Sequence, residues 1–564
     1  MPSPEMQAFF SWFQSNDGYI DTAAMDVMDF PASEGGRGAI ALVDIPENHT
    51  VFSIPRKLLL TPRTSALPAK MGERAWKKTF ELHRGWAGLI LCMMWEAAQG
   101  AQSKWCSYFE MMPTTFDTPM FWSEDELAEL KGTSVVDKLG KDDAEKTYAE
   151  KVLPAIQSRP DLFAQEDIPT LYSLDVFHMM GTRIQSRSFT VEKDESELAD
   201  AGQDQDVGNA SMGSAMDVDE PEATGHEHED GAVDEHNEDD DEGEDEDGDE
   251  ADEDDNTEIA MVPLADILNA RYKSENVRLF YEPECLKMVS TRVIKAGEQI
   301  WNTYGDPPNA ELLRAYGHVD WLPLPFTSKS ESGNAQEQEY GNPGDVLEIR
   351  ADLVVQCVLD ELNANANVGG GNSPMTMDDM EPRIDWWMED VGEDVFVLEH
   401  PLADTDASQS STADPKQRLV QTLTPSLLAF IRLLSLPAAD FARAQQKDKM
   451  PKPGADARAL RVARAVLVRR AGMYVGGGVL EDKAALGALD AVPVSVGDVG
   501  KRRRRHAIMV RLGEKRVLEA LLGVVDEAAG WVEKEEGAGA KDEKKNKRKA
   551  AKDEDAEGGR KKRR

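Results

Sequence analysis

Between Val191 and Glu258 the chain carries 32 aspartates and glutamates against a single lysine, a net charge of −31 in a stretch with almost no large apolar side chains. No compact fold can be drawn through such a segment. The apolar surface available for burial does not offset the entropy of ordering the backbone, and the like charges repel one another. The segment is therefore expected to be a disordered insertion, and it holds most of the chain's net charge of −43. Its flanks read differently. MGTRIQSRSFTVE before it and EIAMVPLADILN after it are apolar and patterned, so the insertion is expected to interrupt one folded unit instead of separating two.

The remaining sequence, with 564 residues in all and 40% hydrophobic content, is long enough for two or more units with real cores. Cys92, Cys106, Cys285 and Cys357 are scattered, without the density of a disulfide framework or the spacing of a zinc site. Free thiols, a reducing intracellular compartment and no structural metal are expected. The opening MPSPEMQAFFSWFQSN lacks the basic start and apolar core of a secretory leader, and WAGLILCMMW near residue 90 is too short to cross a bilayer. No membrane association is expected. At the other end, KKNKRKAAKDEDAEGGRKKRR (Lys544 to Arg564) is two basic clusters split by about ten residues, the spacing of a bipartite nuclear-import signal. This predicts an import receptor as partner and a nuclear location, with the cytoplasm as a second. The basic runs at Lys501–Arg505 and Lys544–Arg564 lack interleaved aromatics and the body is acidic, which argues against direct nucleic-acid binding.

A coarse pass predicts a helix within residues 1–20, then strands through GRGAIALVDIPENHTVFSIPRKLLLT, joined by Gly-rich and Pro-Glu-Asn turns. Helical spacing follows from about residue 74 to 180, with a capping-box signature where Ser123 precedes Glu126. Strands return in RLFYEP, LKMVSTRVI and EQIWNTY, the last ending on Tyr304 before a DPPN turn and the short amphipathic helix AELLRAY. Residues 321–344 read as a linker and 345–535 as a separate helical domain, because SLLAFIRLLSL, ARALRVARAVLVRRAG and AIMVRLGEKRVLEALLGVV repeat apolar residues at three- and four-residue intervals. The basic tail, 536–564, reads as disordered.

Taken singly, the motifs are weak. GGRG at Gly35–Gly38 offers exposed backbone amides, yet a Gly-rich turn before a strand is usually only a turn. It lacks the context of a dinucleotide site and the GK[ST] ending of a P-loop, which argues against NAD and ATP. YVGGGVL at Tyr474–Leu480 reads as a loop. His226, His228 and His236 lie in the acidic run and read as solvated. No GxSxG elbow or HExxH helix points to hydrolysis.

In conjunction they are specific. GGRG, SRSF (Ser186–Phe189), ADILN (Ala265–Asn269) and NTYG (Asn302–Gly305) occur in an order that resembles the SET-domain protein-lysine methyltransferases, in the group typified by the Rubisco large-subunit methyltransferase. Within that group the likeness is to fungal ribosomal-protein lysine methyltransferases and their nuclear animal counterpart. FDTPMFWSEDELAELKGT (Phe116–Thr133) resembles the group's helical insert, iSET, and the C-terminal helices resemble its substrate-binding domain.

The resemblance implies an α+β fold: a β-rich SET domain over residues 21–320, with the helical insert at about 62–180 and the acidic loop at 191–258, followed by the helical domain. It implies S-adenosyl-L-methionine as cofactor, with Gly36, Arg37 and Gly38 presenting backbone to it, Arg187 holding it or shaping the adjoining channel, and Asp266 and Asn269 in contact with it. Tyr304 matches the family's catalytic tyrosine and also borders the cofactor; Tyr316 and Ser186 match the substrate channel. Two departures stand out. Ala270 replaces the histidine that follows the family's asparagine, removing a polar contact, and His318 stands where many relatives have phenylalanine after YG. The implied substrate is a basic protein, a 60S ribosomal protein.

Chemistry accounts for such residues. Methyl transfer from a sulfonium to an amine is an in-line displacement in which positive charge moves from sulfur to nitrogen, so alignment and oriented oxygen dipoles matter more than a strong acid or base. The lysine must be neutral to attack, and desolvation disfavours its charged form. A tyrosine pinned between small neighbours is then a rigid hydroxyl beside the reacting atoms. The alternative function is a noncatalytic nuclear scaffold whose acidic loop chaperones basic proteins; Tyr304, Asn269 and Asp266 together favour the enzyme, since a scaffold needs none of them.

Overall fold

The computed structural model describes residues 4–31, 35–193, 257–329, 336–369, 374–401, 415–491 and 498–560. The acidic insertion from 194 to 256, with its three histidines, lies outside the described residues, as do the last four residues of the basic tail. The chain divides into two compact units, residues 1–116 with 140–306, and residues 117–139 with 307–564.

In the first unit the strands are β1 (Tyr19–Ile20), β2 (Met25–Asp29), β3 (Arg37–Ala41), β4 (Thr50–Pro55), β5 (Ser188–Glu192), β6 (Thr257–Met261), β7 (Val277–Tyr281), β8 (Cys285–Ser290) and β9 (Gln299–Ile300). They form antiparallel sheets in the orders β1-β4-β8-β7, β2-β3-β9 and β5-β6. Alternation sets the faces: along β8, Leu286, Met288 and Ser290 are buried while Cys285, Lys287 and Val289 are half-buried. Phe52 and Ile54 of β4 are fully buried in the same core, each contributing about 1.5–3 kcal/mol relative to exposure. The helix Ala87–Ala98 is apolar on nearly every side and correspondingly buried. Its one acid, Glu96, is satisfied by the hydroxyls of Ser65 and Ser103, both at 2.8 Å.

Strands β5 and β6 pair from Ser188↔Met261 to Glu192↔Thr257, so the acidic segment is an insertion into a hairpin of one folded unit, as its flanks predict. The expected strand QIWNTY is shorter. Pairing of β3 with β9 ends at Ala39↔Ile300. The next amide, Trp301 N–H, donates to the Asn276 side chain at 2.8 Å, and Asn302 makes an isolated parallel bridge to Ala270. Side-chain and crossing contacts thus replace a ladder, and Tyr304 follows on irregular backbone.

The second unit contains the hairpin β10 (Leu322–Lys329) with β11 (Gln336–Gly341) and the pair β12 (Val346–Arg350) with β13 (Val395–Glu399). The stretch 321–344, expected as a linker, is therefore mostly hairpin. Pro323 and Pro325 obscure the strand pattern; a two-stranded ribbon tolerates them at its open edges, and its register shifts between Pro323 and Thr327. The helices Pro425–Leu434, Ala457–Ala471 and Val499–Arg560 follow the predicted periodicity. Around Trp387, Phe396 and Phe430 they share an aromatic core, with ring centroids 5.0 Å apart for Trp387–Phe430 and 5.4 Å for Phe396–Phe430. The last helix continues through 536–560, where a disordered tail was expected; an Ala-, Lys- and Glu-rich run has high helix propensity.

Residues 117–139 belong to this second unit. Trp122, Leu130 and Val135 pack with Ala310, Leu313, Ala507 and Val510, and the predicted capping box is formed, Glu126 Oε2 accepting from Ser123 N–H at 2.9 Å. The arginines of the 501–505 run are occupied here: Arg502 and Arg503 pair with Asp117, Arg503 with Glu126, Arg504 with Glu129 and Arg505 with Asp490.

Candidate active site

Hairpin pairing brings SRSF and ADILN together. The helix Leu174–Arg187 runs directly into β5, and β6 leads through Leu264 into the single turn Ala265–Ile267. Closing the β5–β6 ladder therefore sets Arg187 beside Asp266. Arg187 Nη1 donates to the Asp266 carbonyl at 2.7 Å and lies 3.6 Å from carboxylate Oδ2. The turn is entered through Leu264 at φ +77°, a conformation unfavourable for a bulky side chain and of the kind that persists where surrounding structure enforces it.

Asp266 is buried. Its Oδ2 accepts from the Tyr108 hydroxyl at 3.0 Å, whereas Oδ1 is buried without a hydrogen-bond partner among the described residues. Burial raises the Asp266 pKa, with Arg187 and Tyr108 pulling it back. The Arg187 Nε is likewise buried and unpartnered among the described residues. Tyr304 donates its hydroxyl to the Leu268 carbonyl at 3.2 Å. Burial pushes that hydroxyl up to about 12, Arg187 lowering and Asp266 raising it, so it keeps its proton at neutral pH.

The Gly-rich turn meets this cluster through Asn269. A Cβ on Gly38 would stand 2.5 Å from Asn269 Nδ2 and 2.6 Å from Gln299 Oε1, atoms that hydrogen-bond to each other at 2.7 Å. Gly36 is at φ +70°, and a Cβ there would meet nothing within 4 Å; its carbonyl accepts from the Phe30 N–H at 2.8 Å and its N–H donates to the Pro31 carbonyl at 3.4 Å. The Arg37 side chain lies 3.5 Å from that of Asp29, its ladder partner across β2 and β3. The Asn302 N–H donates to the Asn269 carbonyl at 2.9 Å, tying NTYG to ADILN.

Of the residues singled out in the sequence, the first unit thus gathers Gly36, Gly38, Arg187, Asp266, Asn269 and Tyr304. Ser186 is on the same helix, but its hydroxyl donates to the Thr182 carbonyl at 2.7 Å. Tyr316 belongs to the second unit, closing the turn Leu312–Tyr316 with its ring edge-on to His318 at 6.1 Å; burial pushes the His318 imidazole down. Three further residues were not legible as site residues. Gln299 fixes the Asn269 amide. Tyr108 holds Asp266 from a helix far off in sequence, with no local signal. Arg183, whose guanidinium burial pushes down to about 10, donates to the Pro113 carbonyl at 3.1 Å; its place four residues before Arg187, on one helix face, was the available clue.

An acceptor (Asp266 Oδ1) and a donor (Arg187 Nε), both without a partner among the described residues, are open to a ligand that offers a donor to the one and an acceptor to the other. The turn that carries Gly36 touches the same cluster through Asn269. A ligand with a zwitterionic amino-acid end fits these residues, and S-adenosylmethionine has one.

The sequence matches the SET domain family over residues 36–305 and the Rubisco LSMT substrate-binding family over residues 399–518. Ribosomal lysine N-methyltransferase 4 of Saccharomyces cerevisiae is 27% identical over 370 residues, covering 65% of each chain. N-lysine methyltransferase setd6 of Salmo salar is 31% identical over 333 residues, covering 58% of this chain and 59% of that one. The matched region thus spans under two thirds of these relatives' length. Among solved structures, the SET domain of LSMT bound to lysine and AdoHcy superposes with a TM-score of 0.53 at 18% identity, covering 93% of this chain and 92% of that one. Rubisco LSMT bound to AdoMet gives 0.52 at 19% identity, covering 94% of each. With a match to the SET domain followed by a match to the Rubisco LSMT substrate-binding domain, the chain is similar to the SET-domain proteins of the Rubisco large-subunit methyltransferase type.

Proposed function

We propose that the protein is an S-adenosylmethionine-dependent protein-lysine N-methyltransferase whose substrate is a basic protein, a large-subunit ribosomal protein. The observation that carries this is the clustering of Arg187, Asp266 and Tyr304 with the ADILN turn, which Asn269 ties to the Gly-rich turn, together with polar atoms that have no partner among the described residues. Bound S-adenosylmethionine would supply a methyl group activated on a sulfonium. Gly36, Gly38, Arg187, Asp266 and Asn269 would hold and orient it, Arg187 and Asp266 through their unsatisfied atoms. Tyr304 presents a hydroxyl that stays protonated and is fixed by Leu268, so its oxygen is an oriented dipole at neutral pH. The desolvation that pushes this hydroxyl up acts on an incoming lysine in the opposite sense, favouring the neutral amine that attacks. Alignment and desolvation are then the chain's contribution, with no general base required.

The name of the yeast relative supports a ribosomal substrate. The charge of the segment 191–258 suits a basic partner, and the two clusters in Lys544–Arg564 suit an import receptor and a nuclear location. A purely scaffolding protein has no use for a buried Asp266 and a half-buried Arg187 that each carry an atom without a partner among the described residues, and no observation favours the chaperone alternative. The test is incubation of the purified protein with methyl-labelled S-adenosylmethionine and large-subunit ribosomal protein from cells lacking the enzyme, with Tyr304→Phe in parallel. One labelled band lost in the variant is expected. Absence of both label and cofactor binding in the parent protein would overturn the proposal.

A further inference from the structure

We propose that Tyr108 is a positioning residue of this site, its hydroxyl holding the Asp266 carboxylate through Oδ2 in the orientation that reserves Oδ1 for the ligand. The inference rests on the function proposed above and names a residue outside the motifs that carry it. A carboxylate turns easily about its last torsion, which is broad and two-fold, so a site that needs one particular oxygen needs something to stop the rotation. Tyr108 is suited to that. It is 1% exposed, and its hydroxyl reaches Oδ2 at 3.0 Å. Its helix, Cys106–Met111, is anchored on both sides: the neighbouring Trp105 indole donates to the Leu58 carbonyl at 2.8 Å, and Phe9 of the helix Pro4–Ser15 lies with its ring 6.4 Å from that of Tyr108. The donor is therefore fixed by packing, independently of any ligand.

The second observation is the state of the other oxygen. With Oδ2 held by Tyr108 and approached by Arg187, Oδ1 is the buried carboxylate atom without a partner among the described residues. The groups facing Asp266 are Tyr108 and Arg187, with Arg183 and Tyr304 acting on the same cluster. Burial raises both the Asp266 carboxyl and the Tyr108 hydroxyl, so Tyr108 remains a protonated donor whose hydrogen bond opposes the effect of burial on Asp266.

Tyr108→Phe removes the hydroxyl and little else. Asp266 then rises further from the ordinary carboxylate range. A carboxyl whose folded pKa lies above its unfolded value contributes stability that is present at low pH and lost as pH rises through the folded value. In the ligand-free protein, the melting-temperature deficit of Tyr108→Phe is therefore expected to widen between about pH 5 and about pH 8, and not to widen when Asp266→Asn is already present. At about pH 8 the calorimetric Kd for S-adenosylmethionine is expected to rise roughly tenfold in Tyr108→Phe, with no further rise on adding it to Asp266→Asn. A deficit independent of pH, or effects that add in the double variant, would overturn the positioning role while leaving the methyltransferase proposal intact. Failure of the parent protein to bind the cofactor would instead remove the function on which the inference rests. Should Tyr108→Phe not fold, 3-fluorotyrosine at position 108 keeps the shape and strengthens the donor. Its expected effect is the reverse pH trend, and an unchanged trend would count against the role.

Discussion

Gly38 approaches Asn269 so closely that a Cβ on it would stand 2.5 Å from the amide nitrogen Nδ2. The same atom donates to Gln299 Oε1 at 2.7 Å, so the amide has no room to retreat without breaking that bond. Gly38→Ala is expected to displace Asn269 and weaken S-adenosylmethionine binding roughly tenfold or more, about 1.4 kcal/mol. Gly36→Ala faces open space but holds φ +70°, so its expected effect is a loss of stability of about 1–2 kcal/mol from left-handed backbone. Calorimetric titration and thermal melting of the two variants separate these outcomes: affinity moves most for Gly38→Ala, the melting temperature for Gly36→Ala.

Tyr304→Phe leaves the ring and removes the hydroxyl that donates to the Leu268 carbonyl. If that oxygen acts as an oriented dipole toward the reacting methyl and amine, its loss removes roughly 3 kcal/mol of transition-state stabilisation, or about a hundredfold in kcat. Because burial pushes the hydroxyl up to about 12, it stays protonated across the working range. The parent protein's kcat should then show no loss attributable to Tyr304 ionisation up to about pH 10. Single-turnover rates across pH for both proteins check this, and near-parental turnover by the variant would take Tyr304 out of its assigned role.

What was legible beforehand follows from where the information sits. SRSF and ADILN are legible through their order with GGRG and NTYG, and the β5–β6 ladder between them sets Arg187 beside Asp266. Helical periodicity in residues such as Leu427, Phe430 and Ile431 was equally local. Tyr108 was not legible, since its partner is 158 positions away and a tyrosine on a short helix looks like any core aromatic. The hairpin at 322–341 was hidden by Pro323 and Pro325. The assignment of residues 117–139 to the second unit depends on partners beyond position 300, such as Arg503 and Glu514, which no window of sequence can relate to Asp117 or Ser134.

Glu514 makes that last relationship testable. It is 3% exposed, and it accepts from the Ser134 N–H at 3.0 Å, the Tyr474 hydroxyl at 2.7 Å and Arg470 Nη2 at 3.1 Å. Burial raises its pKa, with Arg470 the largest opposing influence. Glu514→Ala would leave the buried Arg470 guanidinium uncompensated and is expected to destabilise the second unit by about 3–5 kcal/mol. Glu514→Gln keeps the shape and one acceptor, so the expected loss is smaller, about 1–3 kcal/mol. Urea denaturation of the full chain measures both, and faster tryptic cleavage after Lys131 and Lys138 in Glu514→Ala would show that residues 117–139 are held in place by this carboxylate. Equal stability of the two variants would mean that the network contributes packing alone.

Deleting residues 195–255 separates recruitment from catalysis. The cut ends lie close to a paired ladder whose last rung is Glu192↔Thr257. That base is also held by Arg56, which donates to the Glu192 carbonyl at 2.7 Å, and by the ion pair between Arg63 and Glu258. A short turn in place of the deleted residues should therefore leave the hairpin, and with it Arg187 and Asp266, in register. The excised charge attracts a basic protein only over distances that salt does not screen, about 8 Å at about 0.15 M and longer in dilute buffer. The deletion is accordingly expected to raise KM for a basic protein substrate several-fold at low salt, to change KM little at high salt, and to leave kcat near its parental value. Measuring both constants across ionic strength decides the matter. An unchanged KM at low salt would mean that the acidic segment does not recruit substrate, and a fall in kcat would mean that the hairpin base, and not the segment's charge, had been disturbed.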